Sequence, residues 1–88
     1  MKHKIRHREA EASGFQLYDF EYPPHLNIPA HEHQEAQLNF VLEGSLTEGC
    51  DETVLHTQRY DLSFKPARAR HWVASGPDGA RVLVDCTR

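Results

Sequence analysis

The sequence predicts an all-β domain, an antiparallel barrel or sandwich of roughly seven to nine short strands. Three observations carry this. Apolar and polar residues alternate with a period of two, most clearly where Val82, Val84 and Cys86 alternate with Arg81, Leu83 and Asp85. Turn-forming groups recur at short intervals: Pro23-Pro24, Glu43-Gly44, Glu48-Gly49 and Gly76-Pro77-Asp78-Gly79. No segment carries a helical period, and there is no internal repeat or low-complexity stretch.

The elements follow in order. Residues 1–13 form an N-terminal arm, basic over MKHKIRHR and polar over Glu9 to Gly14, where a connector is expected. The arm reads as a solvated tail or an edge strand rather than a nucleic-acid contact, because it carries no aromatic residues to stack on bases. A single barrel is expected over 14–88. Phe15 to Tyr22 is a strand, with Phe15 and Leu17 on one face and Tyr18, Phe20 and Tyr22 on the other. Pro23-Pro24 ends it. Pro29 disfavours helix at Ile28, so His25 to Ala30 is extended. His31 and His33 then enter a strand together, and Gln37 to Glu43 is its strongest part. Short strands are expected at Ser45 to Glu48, Thr53 to Thr57, Leu62 to Phe64, Arg70 to Ser75 and Ala80 to Thr87. Gln58 to Asp61 and Gly76 to Gly79 are expected as reverse turns.

Composition bounds the possibilities. A chain of 88 residues is one domain. It buries only about 60–65% of its unfolded surface, so a metal, a disulfide or a partner chain must supplement the core. Net charge is −3, and with Lys2, Lys4, Arg6 and Arg8 all in the first eight positions the remainder is net −7. That balance argues against nucleic acid as a partner. No apolar run approaches the ~18 residues of a membrane span. No apolar stretch follows the basic N-terminus as a secretory signal requires, so the cytoplasm is the expected compartment. Cys50 and Cys86 are expected as thiols there, with a bridge between them left open.

The chemistry lies in the histidines. In an extended strand, His31, His33, Glu35 and Gln37 point the same way. A transition metal needs several ligands converging on it at about 2.0–2.3 Å, and imidazole suits zinc, iron, nickel and copper. His-x-His by itself specifies no site. A ligand from a distant strand would complete one, and His71 is the candidate.

Two segments carry a family resemblance. His31-Glu32-His33, three residues, Gln37, six residues, Gly44 has the spacing of the first motif of the cupin superfamily. Tyr60, five residues, Pro66-Ala67-Arg68, two residues, His71 has the spacing of the second. Three identities depart from the pattern: Gln37 where Glu is commoner, and Tyr60 and Arg68 where glycines are usual. The resemblance covers Pro29 to about Ser75. The chain resembles small single-domain cupins of the conserved-barrel type, and within them the N-terminal ligand-binding domain of AraC-type regulators.

The resemblance implies an antiparallel jelly-roll barrel, the double-stranded β-helix. It implies a divalent transition metal (zinc, nickel, iron, manganese or copper) on His31, His33, Gln37 and His71. Glu35 remains an alternative to Gln37. A neutral glutamine leaves the ion its full charge, which favours anionic ligands. The implied function is a stand-alone binding or sensor module for a small polar or anionic organic molecule. The alternative is a metal-dependent dioxygenase, isomerase or lyase acting on a small organic acid or sugar. AraC-type regulators continue into helix-turn-helix units. This chain has no helical pattern for that role, so by itself it is expected to bind neither nucleic acid nor membrane.

The remaining candidates have plainer readings. His3 and His7 belong to the arm, His25 to the barrel mouth and His56 to the surface. Trp72 packs, and Arg68 and Arg70 sit on an exposed rim. No catalytic nucleophile is identified, since no serine or cysteine has the context for it. Leu38, Phe40 and Leu42 face away from Gln37, so they point out of the barrel. Such a row calls for a cover. The expected cover is a second copy in a homodimer, with the Ile5-containing arm across the partner.

Overall fold

The computed structural model describes residues 5–87, so Lys2, His3 and Lys4 of the basic segment lie outside the described residues. Seven strands account for most of the chain: β1 (Arg6–Ala12), β2 (Phe15–Tyr22), β3 (Asn27–Glu32), β4 (Ala36–Cys50), β5 (Thr53–Gln58), β6 (Leu62–Lys65) and β7 (Arg70–Thr87). Among the described residues there is no helix, and so none that is long and apolar enough to cross a membrane.

All pairings are antiparallel, in the order β1-β2-β7-β4-β5, with β3 also on β7 and β6 also on β4. The strands β4 and β7 are 15 and 18 residues long, and each serves both faces of the molecule. The last part of β7, from Ala80 to Thr87, lies between β2 and the start of β4. Its first part, from His71 to Ser75, lies between β3 and the end of β4. Two sheets therefore share two bent strands, which is the jelly-roll arrangement. The core is Val41, Leu46, Val73, Ala80, Val82, Val84 and Cys86, with Tyr18, Phe20, Tyr22 and Ile28 packed on it. The expected alternation of Val82, Val84 and Cys86 is thus the inner face of β7.

The bends correct the expected turns. Gly76 to Gly79 reverses nothing, because β7 pairs with β4 on both sides of it. Gly44 faces Ala80 and Leu46 faces Ser75, so four residues of β7 bulge opposite Ser45 alone. Gly44 (φ 76°) and Gly79 (φ 72°) meet at this corner, where a Cβ on Gly44 would collide with the Gly79 carbonyl. Glu43-Gly44 is thus a bulge, not a turn. Glu48-Gly49 is not a turn either: Gly49 continues β4, and its bare Cα makes room for the Trp72 indole. The expected short strands before and after each glycine are single long strands.

Two further expectations change. Glu9 to Ala12 is not a connector but part of β1, its backbone paired in register with β2 from Phe15 to Tyr18. Backbone pairing is indifferent to side-chain polarity on an edge strand. The two histidines do not enter one strand together. His31 is the last residue but one of β3, while His33 to Glu35 form the crossing to β4, held by the Arg68 N–H donating to the His33 carbonyl at 2.8 Å.

The turn over Gln58 to Asp61 is as expected, closed by the Asp61 N–H on the Gln58 carbonyl (2.9 Å) and the Gln58 N–H on the Asp61 carboxylate (2.9 Å). Tyr60 (φ 74°) and Arg68 (φ 65°), which replace the glycines of the cupin pattern, both adopt left-handed backbone. That conformation costs a residue with a Cβ about 1–2 kcal/mol. Tyr60 recovers part of this by stacking on Phe40 at 6.2 Å. Arg68 is exposed. Arg68→Gly should therefore stabilise the protein by about 0.5–1 kcal/mol after glycine's entropy cost, whereas Tyr60→Gly should gain less. Urea denaturation of both variants checks this ordering.

Candidate metal centre

Pairing of β3 with β7 sets His31 directly opposite His71, and the crossing segment folds His33 back over both. Ring centroids are 4.4 Å apart for His31 and His71, 4.7 Å for His31 and His33, and 5.0 Å for His33 and His71. One nitrogen from each ring lies within 4.8 Å of the others. His31 Nε2 and His33 Nε2 are 2.9 Å apart. Two ligands about 2.1 Å from one ion and at right angles to each other would be about 3 Å apart, so the spacing fits a shared cation.

The protonation states also fit. His31 Nδ1 lies 2.8 Å from the Pro29 carbonyl, which can only accept, so Nδ1 carries the hydrogen and donates it. Its Nε2 then carries the lone pair, which accepts from His33 Nε2 here and which a metal would take in place of that hydrogen bond. His71 is buried, and its Nδ1 has no hydrogen-bond partner among the described residues. Burial, reinforced by the charges of His31, Lys65 and His33 and opposed by Glu48, pushes the His71 imidazole down to about 4. Burial and the neighbouring His31 also lower His33, against the pull of Glu35. Both rings are therefore neutral at pH 7, the form that ligates.

Gln37 faces the same cavity from β4, opposite Cys86, where its amide works to lower the thiol pKa. Burial nevertheless leaves that thiol raised. Glu35 also lines the cavity but does not belong to the tight cluster, which among the described His, Cys, Asp and Glu residues is the three histidines alone. Cys50 and Cys86 are both free thiols. His25, Arg68 and Arg70 are exposed and do not line the cavity, and His56 is at the surface 3.1 Å from Thr47 Oγ1. Trp72 lies over Gly49, outside the site.

The cavity holds about 480 Å³ and has two unlike kinds of lining. On β2, Tyr18, Phe20 and Tyr22 form a ladder of near-parallel rings with centroids 5.4 and 5.7 Å apart. His7 of β1 leans on Phe20 at 5.8 Å, and Ile5 lines the same cavity. The Ile5 segment therefore lies against its own barrel. Burial, with Glu48 nearby, pushes the Tyr22 hydroxyl up to about 12. The polar lining comes from the histidines on the β3 side and from Gln37, Asn39 and Lys65, which continue the sheet of β2 through β7 to β4 and β6.

The sequence reading missed Lys65 and its partner Glu48. Glu48 is 1% exposed and Lys65 3%. Lys65 Nζ and Asn39 Nδ2 (3.0 Å) donate to Glu48 Oε1, while Thr57 Oγ1 (3.0 Å) and Ser63 Oγ (2.9 Å) donate to Oε2. All four acceptor positions of the carboxylate are filled. The group escaped notice because β6 is inverted relative to the hydrophobic rule: Ser63 and Lys65 face in, and Leu62 and Phe64 face out. A signal existed. β6 pairs with β4 so that Leu62 and Phe64 stand beside Phe40 and Leu38, already assigned to the outside.

Compared by sequence, the chain matches no family model and no curated protein. Compared by structure, it superposes on a cupin superfamily protein from Desulfitobacterium hafniense with a TM-score of 0.85 and 18% identity, covering 96% of this chain and 77% of that one. The fold is a cupin fold. The cupin domain of Cnp3 from Schizosaccharomyces pombe gives a TM-score of 0.82 at 15% identity, over 98% of this chain and 61% of that one. A variant of oxalate decarboxylase from Bacillus subtilis gives 0.89 at 16% identity, over 99% of this chain but only 26% of the enzyme. At such identities the likeness carries the cupin architecture and nothing about chemistry.

The buried pair makes two measurable statements. Burial alone would raise the Glu48 carboxyl, but the Lys65 charge and the donated hydrogen bonds bring it below its ordinary value. Its contribution to stability is present above the ordinary carboxylate pKa and is lost as pH falls through the depressed native value. Glu48→Gln should therefore flatten the acid limb of a stability–pH curve. Glu48→Ala, which leaves a buried lysine unpaired, should cost about 3–5 kcal/mol, and the double variant Glu48→Leu with Lys65→Met much less. Thermal melts between acid and neutral pH check both.

Proposed function

We propose that this cupin binds a divalent transition metal on His31, His33 and His71, with Gln37 as a fourth, neutral ligand. The bound metal would serve a small organic anion held inside the barrel. The observation that carries this is the 2.9 Å approach of two imidazole nitrogens on one side of the barrel, with a third neutral histidine beside them. Three imidazoles turned toward one another need a shared cation or a set of hydrogen bonds, and the protein supplies His71 Nδ1 with none among the described residues. When bound, the metal would act as a Lewis acid toward an anionic oxygen. We take the role to be that of a cytoplasmic binding or sensor module, as in the ligand-binding domains of AraC-type regulators. A metal-dependent enzyme is the second reading, favoured by Glu35, a carboxylate lining the cavity that could accept a proton there.

Metal analysis tests the centre. Protein loaded with Zn2+, Ni2+, Fe2+, Mn2+ or Cu2+ and desalted should retain about one ion per chain. His31→Ala and His71→Ala should each weaken retention by about tenfold or more. Full retention by both variants would exclude the assignment. Gln37→Glu should tighten it, since a carboxylate adds charge pairing.

We further propose a homodimer through the outer face of β2, β7, β4 and β6. There Leu17, Leu38, Leu62, Phe64 and Leu83 are each 40–62% exposed, and register places them side by side. Leu42 is only half-buried because the bulge after Val41 turns it from this row. Asp85 stands among them, its Oδ1 buried without a partner among the described residues. A second copy could cover the patch. Light scattering at micromolar concentration should give twice the chain mass, and Leu38→Asp should reduce it to one.

A further inference from the structure

The buried ion pair beneath the cavity is not balanced in its hydrogen bonding. Glu48 has every acceptor position filled. Lys65 has three donor hydrogens, and among the described residues Glu48 is its one hydrogen-bond partner. The spare capacity of the pair therefore lies wholly on the cation. Lys65 also lines the cavity, whereas Glu48 sits behind it. A lysine 97% removed from solvent would not leave donors unused without cost.

The aromatic part of the same cavity defines what else a ligand must carry. Tyr18, Phe20 and Tyr22 present aromatic surface across the same space. A carboxylate with no body, such as acetate, would leave this aromatic surface uncovered. Among the described residues lining the cavity, a phosphate would find one amine and no arginine to share its charge.

We propose that Lys65 is the anion anchor of the cavity, and that its ligand class is a small carboxylate with a flat apolar body. The carboxylate accepts from Lys65 Nζ, and the body lies against the β2 aromatic ladder. This rests on the reading of the barrel as a ligand site, and it narrows the expected polar ligand to an amphiphilic one. It does not depend on the metal, because Lys65 and the ladder are in place without it. Lys65 lines the same cavity as His31, His33 and His71, so anchor and histidine cluster open on one space. One ligand could span both.

Benzoate, benzamide and acetate are the probes, titrated into the full chain by calorimetry after chelator treatment and again with Zn2+. In chelator-treated protein benzoate should bind at least about tenfold more tightly than benzamide, the worth of one charge-assisted hydrogen bond. It should also exceed acetate, which lacks the body. The double variant Lys65→Met with Glu48→Gln, which removes both charges together, should lose benzoate binding by about tenfold or more while Zn2+ retention is unchanged. Glu48→Gln alone should tighten benzoate. If the double variant does not fold, the benzoate–benzamide comparison on the unmodified chain decides. Equal binding of the two, no benzoate binding, or undiminished binding to a folded double variant would overturn the proposal. Failure of the metal centre would show instead as absent Zn2+ retention, with benzoate binding intact.

Discussion

The continuous pairing of β4 with β7 is the constraint on which the rest of the structure depends. Each strand is too long for one sheet of so small a domain, and each bends where Gly44 meets Gly79. On one side of the bend β7 contributes Val82, Val84 and Cys86 to the core. On the other it carries His71 opposite His31. One ladder thus ties the packed end of the barrel to the histidine cluster. A shift of one residue in its register would turn the valines outward and His71 away from its partners.

A barrel this small cannot be filled with hydrocarbon and still hold a site. Its buried residues include Asn39, Glu48, Thr57, Ser63, Lys65 and His71. Burial of ions is tolerated only where their hydrogen bonds are made, and Glu48 meets that condition by collecting donors from β4, β5 and β6. The network ties three consecutive strands together, and it is polar where a core is usually apolar. Removing either charge alone leaves the other uncompensated, so the pair works as a unit. Its placement under the cavity gives a structural lysine access to that space.

The apolar residues displaced from the interior reappear on the outer face, where Leu17, Leu38, Leu62, Phe64 and Leu83 are exposed. The molecule is in this respect partly inverted along β6 and the first half of β4, with polar side chains inside and large apolar ones outside. The polar cavity within the barrel and the exposed apolar face on its back are two consequences of one pattern.

The sequence by itself determined the strand periods, the faces of β2 and of the end of β7, and the cupin spacing that joined His31, His33 and His71. These are local or fixed-spacing properties, and a period of two transmits them directly to the structure. It also exposed Tyr60 and Arg68 as departures, whose cost is visible in their left-handed backbone. Only the tertiary structure decided whether a glycine made a turn or a bulge, because Gly76 to Gly79 and Glu43-Gly44 have the same local preferences in either case. The partner strand continuing past them made the difference. The tertiary structure alone also separated His31 from His33 by a strand end, and brought Lys65 to Glu48 across 17 residues. A charge pair between strands has no period, and its burial depends on which face the neighbouring strand has already claimed.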